Sequence, residues 1–390
     1  MSANDDFFRS RKAAAVLKHG ILKRYPVVFA SKTGQGNPVV FLDGYAGAGE
    51  YDDGQPGSPV LLSQCADFVG KYRDVRGFFV EQDPANFENL QQVLANQGGA
   101  MRRELRQGSL DRHLPELLAL AKGASLFAFL DPFGPALDFN LIKTHLLGRA
   151  KWPPTEILLH FSVLSVARMG SAVHKAQQRR GELTGADRMT ADKLDRFLGG
   201  GWWRDHFAKV TDDRDDKRAT DVALQVWQEY EKKLTSGTRY QAVRMPVRPR
   251  PDLAPKYVLA LFTTHTEGAW HFADALGKAG VEWEKAWQEE QWRRGEADTP
   301  PLFGMPEFDA TEYVRKHSPK WVREIKQNLD DLLERHSQLR AADWVPEVYG
   351  KVLGQASAVN VGAAIRDLHE EGRVINSGTG KFWNTVLRRS

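Results

Sequence analysis

Between residues 38 and 160 the chain alternates short, continuous apolar runs with glycine-bearing turns and amphipathic stretches. Pro38–Asp43 (PVVFLD), Gly77–Glu81 (GFFVE), Ser125–Asp131 (SLFAFLD) and Glu156–Phe161 (EILLHF) are short and apolar on both faces, which predicts buried strands. Arg103–Arg106 reads as a weaker strand between the second and the fourth. Pro59–Tyr72, Asn86–Gln97 and Leu114–Lys122 read as the intervening helices. Such alternation predicts an α/β fold with a parallel sheet covered by helices on both faces.

The flanks read differently. Phe7–Tyr25 predicts an amphipathic helix, with Ala14, Leu17, Ile21 and Tyr25 on one face and six basic residues elsewhere. Residues 163–235 are polar and helical, an insertion after the fifth strand. Tyr240–Val247 and Lys256–Thr264 flank a Pro/Arg turn and predict an antiparallel hairpin. Helices are expected over 266–279, 282–294 and 311–340, with a Pro/Gly linker at 295–310. The last fifty residues read as two helices, Asp343–Leu353 and Asn360–Glu371, then strands Val374–Ser377 and Phe382–Leu387 around a Gly-Thr-Gly turn. That is the shape of a C-terminal winged helix.

Composition narrows the functional classes. Apolar residues make up 42% and charged residues 27%, enough for a packed core. A single cysteine excludes an intramolecular disulfide and any cysteine-cluster metal site. The histidines show no ligand spacing, so no metal is expected. The polar N-terminus carries Asp5 and Asp6 and does not resemble a signal peptide, and no apolar run approaches membrane-spanning length. A cytoplasmic protein without membrane contact is the expectation. Fifty-four basic residues oppose 50 acidic ones, so a nucleic-acid surface must arise from placement. Lys12 and Lys18 in the first helix, Arg248 and Arg250 at the hairpin tip, and Arg366 and Lys381 in the winged helix are the phosphate candidates. The segment 342–390 balances six basic against five acidic residues, so a protein-interaction role for it stays open.

Four strand-end motifs carry the chemistry. Asp43-Gly44-Tyr45-Ala46-Gly47-Ala48-Gly49 ends the first strand, where open α/β sheets bind ligands. It lacks the Lys-Ser/Thr of a phosphate loop and the third glycine of a dinucleotide fingerprint. With the hairpin topology, the acid ahead of the glycines favours S-adenosylmethionine, Asp43 facing the ammonium; the alternative is a plain tight turn. Glu81, followed by Gln82, ends the second strand and suits a ribose diol. Ser109 and Asp111 follow the third strand, where they either meet an adenine amine or cap a helix. Asp131-Pro132-Phe133-Gly134 ends the fourth strand with a carboxylate, a carbonyl and a ring. That set suits an exocyclic amine on a nucleobase: the oxygens accept its protons and the ring stacks.

Together these motifs resemble class I S-adenosylmethionine-dependent methyltransferases over about residues 1–280, with a Rossmann-like sheet and the helical insertion at about 163–235. A helical linker at 281–340 and a winged-helix domain at 341–390 complete the expected organisation. Val16-Leu17-Lys18-His19 ahead of Phe41–Tyr51 is similar to adenine-N6 ribosomal-RNA methyltransferases, which implies His19 near the cofactor. Those enzymes carry Asp-Pro-Pro-Tyr where this chain has Asp-Pro-Phe-Gly, a turn similar to that of tRNA guanine-N2 methyltransferases. Asp43–Tyr51, Gly57-Ser58-Pro59, Glu81 and Asp131–Gly134 most resemble the bacterial three-Cys-motif partner proteins, a family whose name implies a cysteine-motif partner. The implied activity is methylation of an exocyclic base amine, adenine N6 or guanine N2, in RNA or DNA. The alternative is a methyltransferase-like module that binds nucleic acid or a partner protein without catalysis.

Overall fold

A computed structural model describes residues 15–51, 53–99, 101–209, 216–248, 253–296 and 307–390. Two compact units form: Pro26–Thr264, and the segment up to Tyr25 together with His265–Ser390. The first described helix groups with the C-terminal residues.

The first unit is built on seven strands: β1 (Val39–Asp43), β2 (Val75–Glu81), β3 (Arg102–Gln107), β4 (Ser125–Leu130), β5 (Thr155–Phe161), β6 (Gln241–Val247) and β7 (Tyr257–Thr263). Their order is β3-β2-β1-β4-β5-β7-β6, with only β7 antiparallel to its neighbours. This is a Rossmann-like α/β architecture. The chain order reverses between β1 and β4, which opens a crevice at their C-terminal ends. The central strands β1, β4 and β7 are buried throughout, as their apolar runs require. The edges are blunted: β3 is polar (RRELRQ), and Pro246 sits in the outer strand β6.

Strand parity sorts the side chains. Val40, Leu42, Val80, Ala128, Leu130, Leu159 and Phe161 face one core. It is closed by α5 (Leu110–Leu120) and by the helices after β5: α6 (Val163–Arg180), α7 (Gly185–Leu198), α8 (Trp203–Ala208) and α9 (Asp216–Thr235). The inserted helices thus cover the sheet: Phe161 meets Trp227 at 5.0 Å, and Phe197 stacks on Tyr230 at 5.4 Å. The alternate residues Phe41, Phe79, Phe127 and Leu158 line the opposite face. Phe29 of α2 (Tyr25–Lys32) packs there on Phe127 at 5.8 Å, and α3 (Ser58–Val69) and α4 (Pro84–Asn96) complete the layer.

The second unit is helical. Residues 15–22 form α1, joined by α10 (Thr266–Glu296), α11 (Ala310–His336), α12 (Val345–Tyr349) and α13 (Ala358–Glu370). β8 (Gln338–Arg340) and β9 (Val386–Arg388) pair antiparallel. Some expected elements differ. The break expected between 279 and 282 is absent, because Gly277 and Gly280 admit a neighbouring backbone and do not end α10. A Cβ at either would lie within 2.1 Å of the Ala356 carbonyl oxygen or 1.8 Å of the Gly354 one. The expected wing is found in part: β9 pairs with β8, and on its other side residues 373–375 run antiparallel to 388–390, with a Val374–Arg389 bridge, Ile375 N–H donating to the Arg388 carbonyl at 3.1 Å and Ser390 N–H to that of Arg373 at 3.1 Å. The helix expected over Asp343–Leu353 shortens to α12 between two 3-10 turns. Trp383 stacks on the buried Trp270 at 5.8 Å and 12°, which holds the C-terminal loop to α10. No described helix is long and apolar enough to cross a membrane.

Candidate functional site

The C-terminal ends of β1, β2, β4 and β5 place four titratable side chains around the crevice. Asp43, Glu81 and His160 share the parity of Phe41, Phe79 and Leu158, so they stand on one sheet face. Asp131 follows β4 directly.

Asp43 is fully buried. Its Oδ1 accepts the Tyr45 N–H at 3.1 Å, while Oδ2 has no hydrogen-bond partner. Burial pushes the carboxyl up to about 7. The Ser58 side chain and the Tyr45 N–H pull it back, and the charges of Asp131 and Glu81 push it further up. Nearby positive charge would favour the ionised form of such a buried acid.

Glu81 builds the glycine loop. Its Oε2 accepts the Gly47 N–H at 2.8 Å and its Oε1 accepts the Asp83 N–H at 2.7 Å. Gly47 has φ +64°, and a Cβ there would meet nothing within 4 Å, so the backbone lies open to an incoming ligand. Ala46 N–H donates to the Val80 carbonyl at 2.9 Å, and Gly49 O accepts from Gly57 N at 2.8 Å. The second bond ties the loop to the start of α3. Gly44 is a packing glycine, with Leu110 and Leu130 where a side chain would go.

Asp131 Oδ1 lies 3.1 Å from His160 Nδ1. The imidazole packs on the buried Tyr257, ring centroids 4.3 Å apart, and burial raises the Tyr257 hydroxyl well above its ordinary range. Pro132 is buried, whereas Phe133 is 76% exposed. Gly134, at φ +75°, sits against Ser165, to which Ser162 hydrogen-bonds as it caps α6.

The other expected residues spread out. Gln82 is exposed, and Ser109 caps α5 without a side-chain bond. Asp111 is held in an ion pair with Arg196 of α7, which also reaches Asp138 at 3.0 Å. His19 and Lys18 lie half-buried on α1, in the other unit. Lys12 and Arg250 lie outside the described residues. Arg248, Arg366 and Lys381 are exposed, and Arg248 donates to the Leu253 carbonyl at 3.1 Å. Arg244, on the same hairpin, donates from one guanidinium nitrogen to both Glu231 carboxylate oxygens at 2.7 and 2.9 Å. Among the described residues no group of three or more histidine, cysteine or acidic side chains is arranged to hold a metal.

His160, Tyr257 and Arg196 are neighbours that the motifs do not contain, and Ser58, which they do contain, acts on Asp43. The signal for His160 is register: Leu130 pairs with Leu159, so one step on brings Asp131 beside it. No protein-family model matches the chain, and no curated protein matches it.

Proposed function

We propose that the chain is an S-adenosylmethionine-dependent methyltransferase acting on an exocyclic amine of a nucleic-acid base. The observation that carries this reading is the crevice between β1 and β4, flanked by Asp43 with its idle Oδ2 and by Asp131 next to an exposed Phe133. The sheet order, with its single antiparallel strand beside β5, resembles that of class I methyltransferases. In this reading Asp43 meets the donor's ammonium, Glu81 its ribose, and the open Gly47 backbone lets the donor approach. Bound there, the donor supplies an electrophilic methyl group on sulfur. Asp131 accepts a hydrogen bond from the target amine and orients its lone pair, and Phe133 stacks on the base. A paired base must leave its stack to reach this point.

Nucleic acid is the proposed partner, with Arg248, Arg366 and Lys381 as exposed cations for phosphates. The helix–strand–helix–helix–strand order from α11 to β9 is read as an altered winged helix in which α13 presents Arg366. Family resemblance adds a cysteine-motif protein as a second partner. Calorimetry of the intact chain with S-adenosylmethionine tests the reading. Micromolar binding lost in Glu81→Ala supports it, and absence of binding by the intact chain ends it. Nucleoside mass spectrometry after incubation with labelled donor then identifies the base.

A further inference from the structure

We infer that His160 is a positioning residue that draws the proton of the target amine away through Asp131. The inference rests on the methyl-transfer reading above and concerns the same site.

Three observations converge on it. The carboxylate and imidazole stand 3.1 Å apart, Oδ1 to Nδ1, with side chains only 23% and 12% exposed. The imidazole also packs against the Tyr257 ring, centroids 4.3 Å apart. The exposed Phe133, two residues beyond Asp131, marks the side from which a base would enter. Packing alone does not call for histidine here. An apolar side chain on this strand would meet Tyr257 as well and would not need its polar atoms satisfied. Charged and titratable groups that act around the pair include Tyr257 on β7, Asp43, which feels the Asp131 charge, and Tyr51, which acts on Tyr257.

The chemistry follows from the balance of the reaction. The amine lone pair attacks the methyl of the sulfonium donor; the N–C bond forms, the C–S bond breaks, and its electron pair leaves sulfur as a neutral thioether. The nitrogen then carries a positive charge and one proton too many. Asp131 takes that proton, which is then shared between its Oδ1 and Nδ1 of the imidazole, 3.1 Å apart, so that the ring becomes an imidazolium. The imidazolium finally loses a proton to water. An isolated aspartate, with an ordinary pKa of about 3.9, is a weak final acceptor near neutral pH, and an imidazole at about 6.5 is a better one.

The test uses the full chain with S-adenosylmethionine and a mixed preparation of RNA and DNA. His160→Gln and His160→Asn keep a planar polar side chain that cannot take up a proton. Donor affinity, measured by calorimetry, is the control for folding and is expected to stay within about threefold of wild type. Single-turnover transfer of labelled methyl is expected to slow by about 10–100-fold near neutral pH. With donor saturating at every pH, so that protonation of Asp43 does not limit binding, the wild-type decline toward acid pH is expected to flatten in both variants. A wild-type rate and pH profile in both variants overturns the role of His160 alone. A wild-type chain that binds no donor, or binds it and labels neither nucleic acid, overturns the methyl-transfer reading and this inference with it.

Discussion

Glu81 Oε2 accepts the Gly47 N–H at 2.8 Å, so the acid that ends β2 shapes the glycine loop after β1. Its other oxygen holds the Asp83 N–H at 2.7 Å, ahead of α4. One side chain thus fixes two loops of the crevice before any ribose arrives. Glu81→Ala removes both charge-assisted bonds and leaves two amides to find water. The expected cost is about 2–4 kcal/mol, read from the denaturant midpoint. Glu81→Gln keeps one acceptor oxygen and should lose about half as much. Donor affinity should fall at least tenfold in Glu81→Ala. Equal stability in all three proteins would show that the loop holds itself.

Asp43 makes pH a probe of the site. Burial raises its carboxyl from 3.8 to about 7 in the folded chain. Between those values the native state keeps a proton that the unfolded chain releases, so stability falls as pH rises through the window. Above pH 7 the penalty is complete. Asp43→Asn removes it and should raise the denaturant midpoint at pH 8, by up to about 4 kcal/mol, with no gain near pH 4. The same substitution should abolish donor binding. In wild type, donor affinity should weaken as pH falls below 7, by up to about tenfold per unit, because a protonated Asp43 cannot pair with an ammonium. Titration calorimetry at several pH values checks both signs.

Phe133 separates stability from recognition. At 76% exposure its ring contributes little to folding, so Phe133→Ala should shift the midpoint by less than about 0.5 kcal/mol. Stacking on a base is worth about 1–3 kcal/mol, so binding of single-stranded oligonucleotides with donor present should weaken about 5–150-fold. A stability loss larger than the binding loss would assign Phe133 to packing.

Much of the sheet was legible in the sequence because each central strand is a closed apolar run ending in an acid or a turn. Asp43, Glu81 and Asp131 could be placed at strand ends on that basis alone. Partners set by distant pairing were not legible. His160 joins Asp131 only through the β4–β5 register, and Asp111 meets Arg196 from α7, 85 residues away. β9 finds its second partner in β8, across the two intervening helices, and nothing local to its turn announces that pairing. α2 was hidden because Tyr-Pro-Val-Val-Phe carries strand-forming residues, yet Phe29 is needed against Phe127.

Gly280 lies inside α10, where the expected break at 280–281 does not occur, and its packing yields the sharpest sign test. Local propensity treats glycine as a weak point in a helix, and Gly→Ala at an exposed helical site stabilises by about 1 kcal/mol. Inside α10 the opposite is expected. A Cβ at Gly280 would stand 1.8 Å from the Gly354 carbonyl oxygen, and one at Gly277 2.1 Å from that of Ala356. Those atoms are backbone and cannot rotate aside, so the segment before α13 must move. Gly280→Ala should therefore lower the thermal midpoint, at a cost of about 1–3 kcal/mol, and Gly277→Ala should do the same. Donor affinity is a second readout, because the candidate site lies in Pro26–Thr264 and these glycines do not. Destabilisation with unchanged donor affinity is the expected pair of results. A rise in midpoint for either variant would mean that helix propensity governs these positions and that the close backbone approach is wrong.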